Sequence, residues 1–233
     1  MMAADGRPFL TAEWRDLVLL NYLVDPAILR PFLPAGLELD FWSGGAWVSL
    51  VGFRFLKTRV RGVPVPFHRD FDEVNLRFYV RRGERRGVVF IKEIVPKRAI
   101  AWIARAVYRE NYVRLPMRHE ISETFLEYSW RHPGGWSRIR VDAPGPAQPL
   151  AASSHEEFIA EHYWGYVRHS ADRTVEYRVD HVRWRIRAAG SASVDADFAG
   201  LYPPEFEALA RRRPDSAFVA EGSQVAVFPG IAM

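Results

Sequence analysis

The sequence predicts a mainly antiparallel α+β fold with a curved or barrel-like sheet, formed as a single domain over residues 1–233. Three observations lead there. Short apolar runs, some strictly alternating, recur along the chain between Gly- and Pro-rich turns. Helical periodicity surfaces only in a few short stretches, and strands and helices do not alternate regularly, which argues against a doubly wound parallel sheet. With 233 residues, 48% of them hydrophobic, the chain can bury a sizeable core without covalent staples.

The elements follow in order. Asp25 caps a short helix with Pro26 at its first position and Pro34 past its end. Leu37–Trp42 and Ala46–Lys57 read as strands joined by Ser43-Gly44-Gly45, the second apolar on both faces and so buried. Glu73–Arg81 alternates cleanly, with Val74, Leu76, Phe78 and Val80 opposite Glu73, Asn75, Arg77, Tyr79 and Arg81. Arg81-Arg82 and Arg85-Arg86 flank a solvated hairpin turn, and Gly87–Val95 is the returning strand. A helical stripe of Ala99, Ile100, Ile103 and Val107 follows. Val113–Arg131 and Trp136–Val141 form a hairpin around His132-Pro133-Gly134-Gly135. Ser154 caps a second helix, expected to run to about Val167. Thr174–Val179 and Val182–Ala188 are strands. A short helix at Pro204–Arg211, with basic residues at its end, leads to a last strand at Ser223–Phe228.

Composition excludes several functions. There is no cysteine, hence no disulfide, thiolate nucleophile or cysteine-bound metal. No apolar run reaches the roughly 20 residues of a membrane span, and Met1–Leu10 has no signal-peptide core, so a cytoplasmic, bacterial-type protein is expected. Only Lys57, Lys92 and Lys97 are lysines, and the arginines are scattered rather than gathered into a basic surface, so no nucleic-acid partner is expected. Phosphate loops, GxGxxG, GxSxG and HExxH are all missing, and no cofactor is expected. His155, His162 and His169 lie seven residues apart. On one helix that spacing is about 10.5 Å, too far to share a metal ion, so they read as surface or interface histidines.

Four features bear on chemistry. The face carrying Glu73, Asn75, Arg77 and Tyr79 is either the wet side of a sheet, with Glu73 and Arg77 free to form a structural ion pair, or the polar lining of a ligand cavity. Lys92 and Glu93 occupy opposite faces of an apolar strand, so either one charge is buried whichever face is inward, or one face is partly solvated and the two residues serve cross-strand pairs. A lysine in an apolar pocket loses basicity and can attack carbonyls. Lys97, Arg98 and Arg105 either offer positive charge for a carboxylate or phosphate or snorkel to solvent. The run Glu161-His162-Tyr163-Trp164-Gly165-Tyr166 packs on a sheet or walls a pocket.

Several runs together resemble the YqjF-like family, domain of unknown function 2071, of the acetoacetate decarboxylase-like superfamily. They are Leu33–Asp40, Ala46–Val51, Phe71–Val80, Gly87–Phe90, Ala104-Arg105 and Ser216–Ser223, of which Glu73-Val74-Asn75-Leu76-Arg77 is the most specific. The resemblance implies a cone-shaped, mainly antiparallel barrel around a cavity, with a few helices outside. Phe71-Asp72-Glu73 is similar to the decarboxylases' Tyr-x-Glu, which makes Glu73 the candidate pocket carboxylate. Of their Gly-Arg-Glu only Arg105 remains, and Leu115-Pro116-Met117-Arg118 replaces both lysines of Gly-x-Pro-Lys-Lys, so the Schiff-base lysine has no counterpart there. The expected function is a small-molecule-binding barrel, with lyase-type chemistry on a carbonyl or carboxylate compound and Glu73 and Lys92 as catalytic groups. Asn75, Arg77, Tyr79 and Arg105 are its substrate-binding candidates. The alternatives are a non-catalytic ligand-binding or sensor domain and a homo-oligomer using the aromatic surface.

Overall fold

Alternating and apolar segments condense into two sheets that share one core. The computed structural model describes residues 6–66, 68–96 and 111–233. Its strands are β1 (Leu10–Val24), β2 (Glu38–Leu39), β3 (Phe41–Trp42), β4 (Gly45–Val60), β5 (Val63–Pro64), β6 (Phe71–Arg82), β7 (Arg85–Val95), β8 (Tyr112–Arg114) and β9 (Met117–Ile121). They continue as β10 (Phe125–His132), β11 (Gly135–Asp142), β12 (Gln148–Pro149), β13 (Trp164–Arg168), β14 (Thr174–His181), β15 (Arg185–Ala188), β16 (Ser191–Asp195), β17 (Ser216–Val227) and β18 (Ile231–Ala232). One α-helix, α1 (His155–Ala160), is present among the described residues, with 3-10 turns at Pro26–Ile28, Arg30–Phe32 and Pro204–Arg211. The helical stripe at Ala99–Val107, and with it Lys97, Arg98 and Arg105, lies outside the described residues. Among the described residues no helix is long and apolar enough to cross a membrane.

The large sheet runs β12-β15-β17-β1-β4-β6-β7-β13-β14-β18, and β14 also pairs with β17, so the pairing returns to a strand it has already passed. The small sheet runs β16-β11-β10-β9. Pairing is antiparallel except where β13 and β8 lie parallel to β7.

β1, to which alternation assigns no element, is a central strand between β17 and β4. Its register against β4 shifts between Arg15 and Val18, where Asp16 takes a φ of +57°. Such a bulge moves the following side chains by one position, which breaks a period-2 pattern. The residues beyond it, Leu17–Leu20, are buried on both faces and read as a plain apolar run.

The large sheet has two covered faces. On one, Val18, Leu20, Leu50, Leu76 and Phe78 pack against Tyr128, Trp130, Ile139 and Val141 of the small sheet. Gly52 makes this approach possible, because a Cβ there would meet the Tyr128 ring at 2.8 Å. On the other face, Leu17, Leu19, Val51, Phe53 and Tyr79 pack with Phe158 and Ile159 of α1.

The second helix is shorter than its cap predicts. Ser154 does accept from the Glu157 N–H (3.1 Å), but the helix ends at Ala160. The β-branched and aromatic residues beyond it enter β13 instead, because β7 and β14 offer backbone partners on both sides. Gly165 admits the Tyr177 ring, which a Cβ would meet at 2.1 Å. The β6–β7 hairpin forms as expected, with Gly83 at φ +57°. Its arginines are not merely solvated: Arg82 and Arg85 reach Glu176, and Arg86 reaches Asp40.

Candidate functional site

The polar face of β6 points inward. Glu73 and Asn75 are only 2% and 1% exposed, and Arg77 and Tyr79 are also buried. The solvated-face reading holds only for Arg81, which is exposed and pairs with Glu38 at 2.9 Å. Glu73, Asn75 and Arg77 open into a recessed cavity of about 120 Å³. A water needs roughly 10–15 Å³ by the same measure, so there is room for a ligand of several heavy atoms. Apolar walls come from Trp14, Leu17, Val51, Phe53, Phe90 and Trp184, and further polar groups from Glu93, Tyr112 and His162.

Glu73 is strongly perturbed. Asn75 Nδ2 donates to its Oε1 (3.0 Å), and the Tyr112 hydroxyl donates to its Oε2 (3.3 Å). Complete burial nevertheless dominates and pushes its carboxyl up to about 7, against the two donors and the Arg77 charge, which pull the other way. Glu73 and Arg77 close no ion pair among the described residues. Arg77 is held by an Nη2 contact to the Ile159 carbonyl (3.4 Å) and lies 5.8 Å from the Tyr79 ring centre.

Four buried polar atoms on residues lining this cavity have no hydrogen-bond partner among the described residues: Trp14 Nε1, Asn75 Oδ1, Arg77 Nε and His162 Nδ1. Buried polar atoms are satisfied in the great majority of cases, so their convergence on one cavity is unusual.

Two expectations need correction. Lys92 is not brought to this cavity. The β6–β7 register shifts between Leu76 and Arg77, so Arg77 faces Phe90, Leu76 faces Lys92 and Asn75 faces Glu93. The bulge at Ile91 leaves Lys92 across from Leu76, on the side packed against the small sheet, and turns Glu93 to the cavity. Glu93 is therefore a site residue that strict alternation could not single out. His162 is neither a surface histidine nor a helical one. It follows the end of α1 with its side chain 3% exposed, and it lines the cavity.

Tyr79 supports the site rather than facing it. Its hydroxyl meets Ser49 Oγ at 2.5 Å. Ser49 donates to Asn21 Oδ1 (2.6 Å), Asn21 donates to Ser216 Oγ (3.0 Å), and Ser216 meets His155 Nδ1 (3.2 Å). This buried polar ladder crosses β6, β4, β1 and β17.

The architecture is that of the acetoacetate decarboxylase-like fold. Acetoacetate decarboxylase from Legionella pneumophila superposes with a TM-score of 0.74 at 13% identity, covering 100% of this chain and 90% of that one. The enduracididine biosynthesis enzyme MppR complexed with pyruvate superposes with a TM-score of 0.69 at 15% identity, covering 99% and 92%. An acetoacetate decarboxylase-like enzyme from Sphingomonas wittichii RW1 gives 0.70 at 14%, covering 98% and 94%. Residues 11–224 match DUF2071, "Uncharacterized conserved protein", and the chain belongs to that family. YqjF of Bacillus subtilis (strain 168) is 33% identical over 125 residues, a match spanning 53% of this chain and 52% of that protein.

Proposed function

We propose that the cavity binds a small compound carrying a carbonyl beside a carboxylate. Arg77 anchors the carboxylate, and Glu73 exchanges a proton with the carbonyl oxygen or the adjoining carbon. The convergence of Asn75 Oδ1, Arg77 Nε and His162 Nδ1 on one cavity carries this reading. Each such atom costs about 1–3 kcal/mol while unsatisfied, and an oxygen-rich ligand with a donor group recovers that cost. A carboxyl near 7 gives and takes protons readily at neutral pH. The pairing of β14 with both β13 and β17 supports a cone-shaped barrel of one domain around the cavity. The pyruvate complex of the structurally similar MppR makes pyruvate a natural first probe.

A non-catalytic ligand-binding or sensor domain is the second reading. It is favoured because no lysine is found among the described residues lining the cavity.

Calorimetric titration with pyruvate tests the binding. The parent protein should bind saturably, and Arg77→Leu should weaken binding ten- to a hundredfold, the range for a charge-assisted hydrogen bond. No saturable binding by the parent, or equal affinity in both proteins, contradicts the proposal. Deuterium exchange at the pyruvate methyl separates the two readings. Exchange accelerated by the parent and lost in Glu73→Gln supports proton transfer, whereas binding without exchange leaves a sensor.

A further inference from the structure

The ring of His162 has two polar edges, and they differ. Nε2 lies 3.3 Å from Arg86 Nη2 and 3.9 Å from Asp40 Oδ2. A guanidinium has donors only and keeps its charge at any accessible pH, so in that contact Nε2 must accept. Arg86 cannot easily turn away. Its Nε donates to Asp40 Oδ2 (2.6 Å), its Nη2 reaches the Phe158 carbonyl (3.4 Å), and its guanidinium sits 4.6 Å from the Phe158 ring centre. A neutral imidazole that accepts at Nε2 carries its proton on Nδ1. Nδ1 is the atom that is buried without a partner among the described residues, on a residue that lines the cavity.

We propose that His162 reads the ligand: uncharged, and with its proton fixed on Nδ1 by Arg86, it presents that N–H to the cavity as a donor to a carbonyl or carboxylate oxygen. Arg86 is then a positioning residue that acts through the ring. Burial pushes His162 down to about 4, with the Arg86 and Arg77 charges adding to the effect and Asp40 opposing it, so the ring stays neutral at physiological pH. The Tyr79 ring, 4.7 Å away, and Phe158, 5.8 Å away, hold its plane. Two fixed donors, Arg77 Nε–H and His162 Nδ1–H, select a ligand with at least two acceptor oxygens and disfavour amines.

The inference rests on the ligand class proposed above, and the test separates the two. Nitrogen-15 NMR of the histidine rings in the free parent protein should find a pyrrole-type Nδ1 and a pyridine-type Nε2 for His162 at neutral pH. The signal is assigned by its loss in His162→Phe. An Nε2–H tautomer or a charged ring overturns the inference whatever the protein binds. On saturation with pyruvate, the Nδ1 and attached proton signals should shift, and His162→Phe should bind about tenfold more weakly. Pyruvate binding that leaves both the ring signals and the variant's affinity unchanged overturns this role alone. No binding by the parent overturns the ligand class, and this role with it.

Discussion

From Glu73 to Val80 the two faces of β6 are both buried and chemically opposite. Val74, Leu76, Phe78 and Val80 bring only apolar atoms to the close-packed core they share with the aliphatic and aromatic side chains of the small sheet. Two residues of every four turn the other way, and there Glu73, Asn75 and Arg77 sit in a cavity with hydrogen-bonding capacity left over. The apolar face stabilises the fold. The polar face costs stability, and that cost makes sense where a ligand recovers it.

Substitutions on the two faces should therefore separate stability from binding. Phe78→Ala creates a void in the apolar face and should lower unfolding free energy by about 3–5 kcal/mol in denaturant titration. Pyruvate affinity in the protein that remains folded should not change. A loss of binding as large as the loss of stability would mean that the faces are not independent.

The next largest effect is one of pH. Glu73 holds its proton more tightly folded than unfolded, because its value is raised from 4.5 to about 7. Its contribution is fully present below 4.5 and is lost as pH climbs through 7. By pH 8 the loss amounts to about 3 kcal/mol. Glu73→Gln should remove this slope and be the more stable protein at pH 8, read from denaturant midpoints at pH 5 and pH 8. Parallel pH profiles for the two proteins would place an ordinary, solvated carboxyl at Glu73.

The smallest effect belongs to Lys92. Lys92→Met should bind pyruvate as the parent does, and borohydride should trap no pyruvate adduct at Lys92. A trapped adduct there would return a lysine to the cavity.

How much of this was legible in the sequence depended on where the alternation held. The β6 strand keeps a strict period of two, so its two faces could be read directly, and the likeness of Glu73-Val74-Asn75-Leu76-Arg77 to a known family pointed to the fold. Two bulges defeated the same rule elsewhere. Trp14 and Leu17 both line the cavity although three positions separate them, and so do Phe90 and Glu93. Each pair straddles a register shift, at Asp16 in β1 and at Ile91 in β7. A bulge is one extra residue in a ladder, set by the partner strand, and no local composition marks it. Strict alternation therefore puts Lys92, not Glu93, on the face of Phe90, and it assigns no element to β1. His162 was hidden differently: its aromatic neighbours and the cap at Ser154 suggested a continuing helix, whereas long-range pairing with β7 and β14 drew the chain into β13.

The inward, ligand-facing character of Glu73 is tested most directly by carbon-13 NMR of the glutamate carboxyls across pH 4 to 9, with and without saturating pyruvate. One carboxyl should titrate near 7, vanish in Glu73→Gln and move higher when pyruvate is bound, because a second anion beside it disfavours its charged form. If the signal lost in Glu73→Gln titrates in the ordinary carboxylate range and ignores pyruvate, Glu73 faces solvent chemistry and the cavity is not a ligand site.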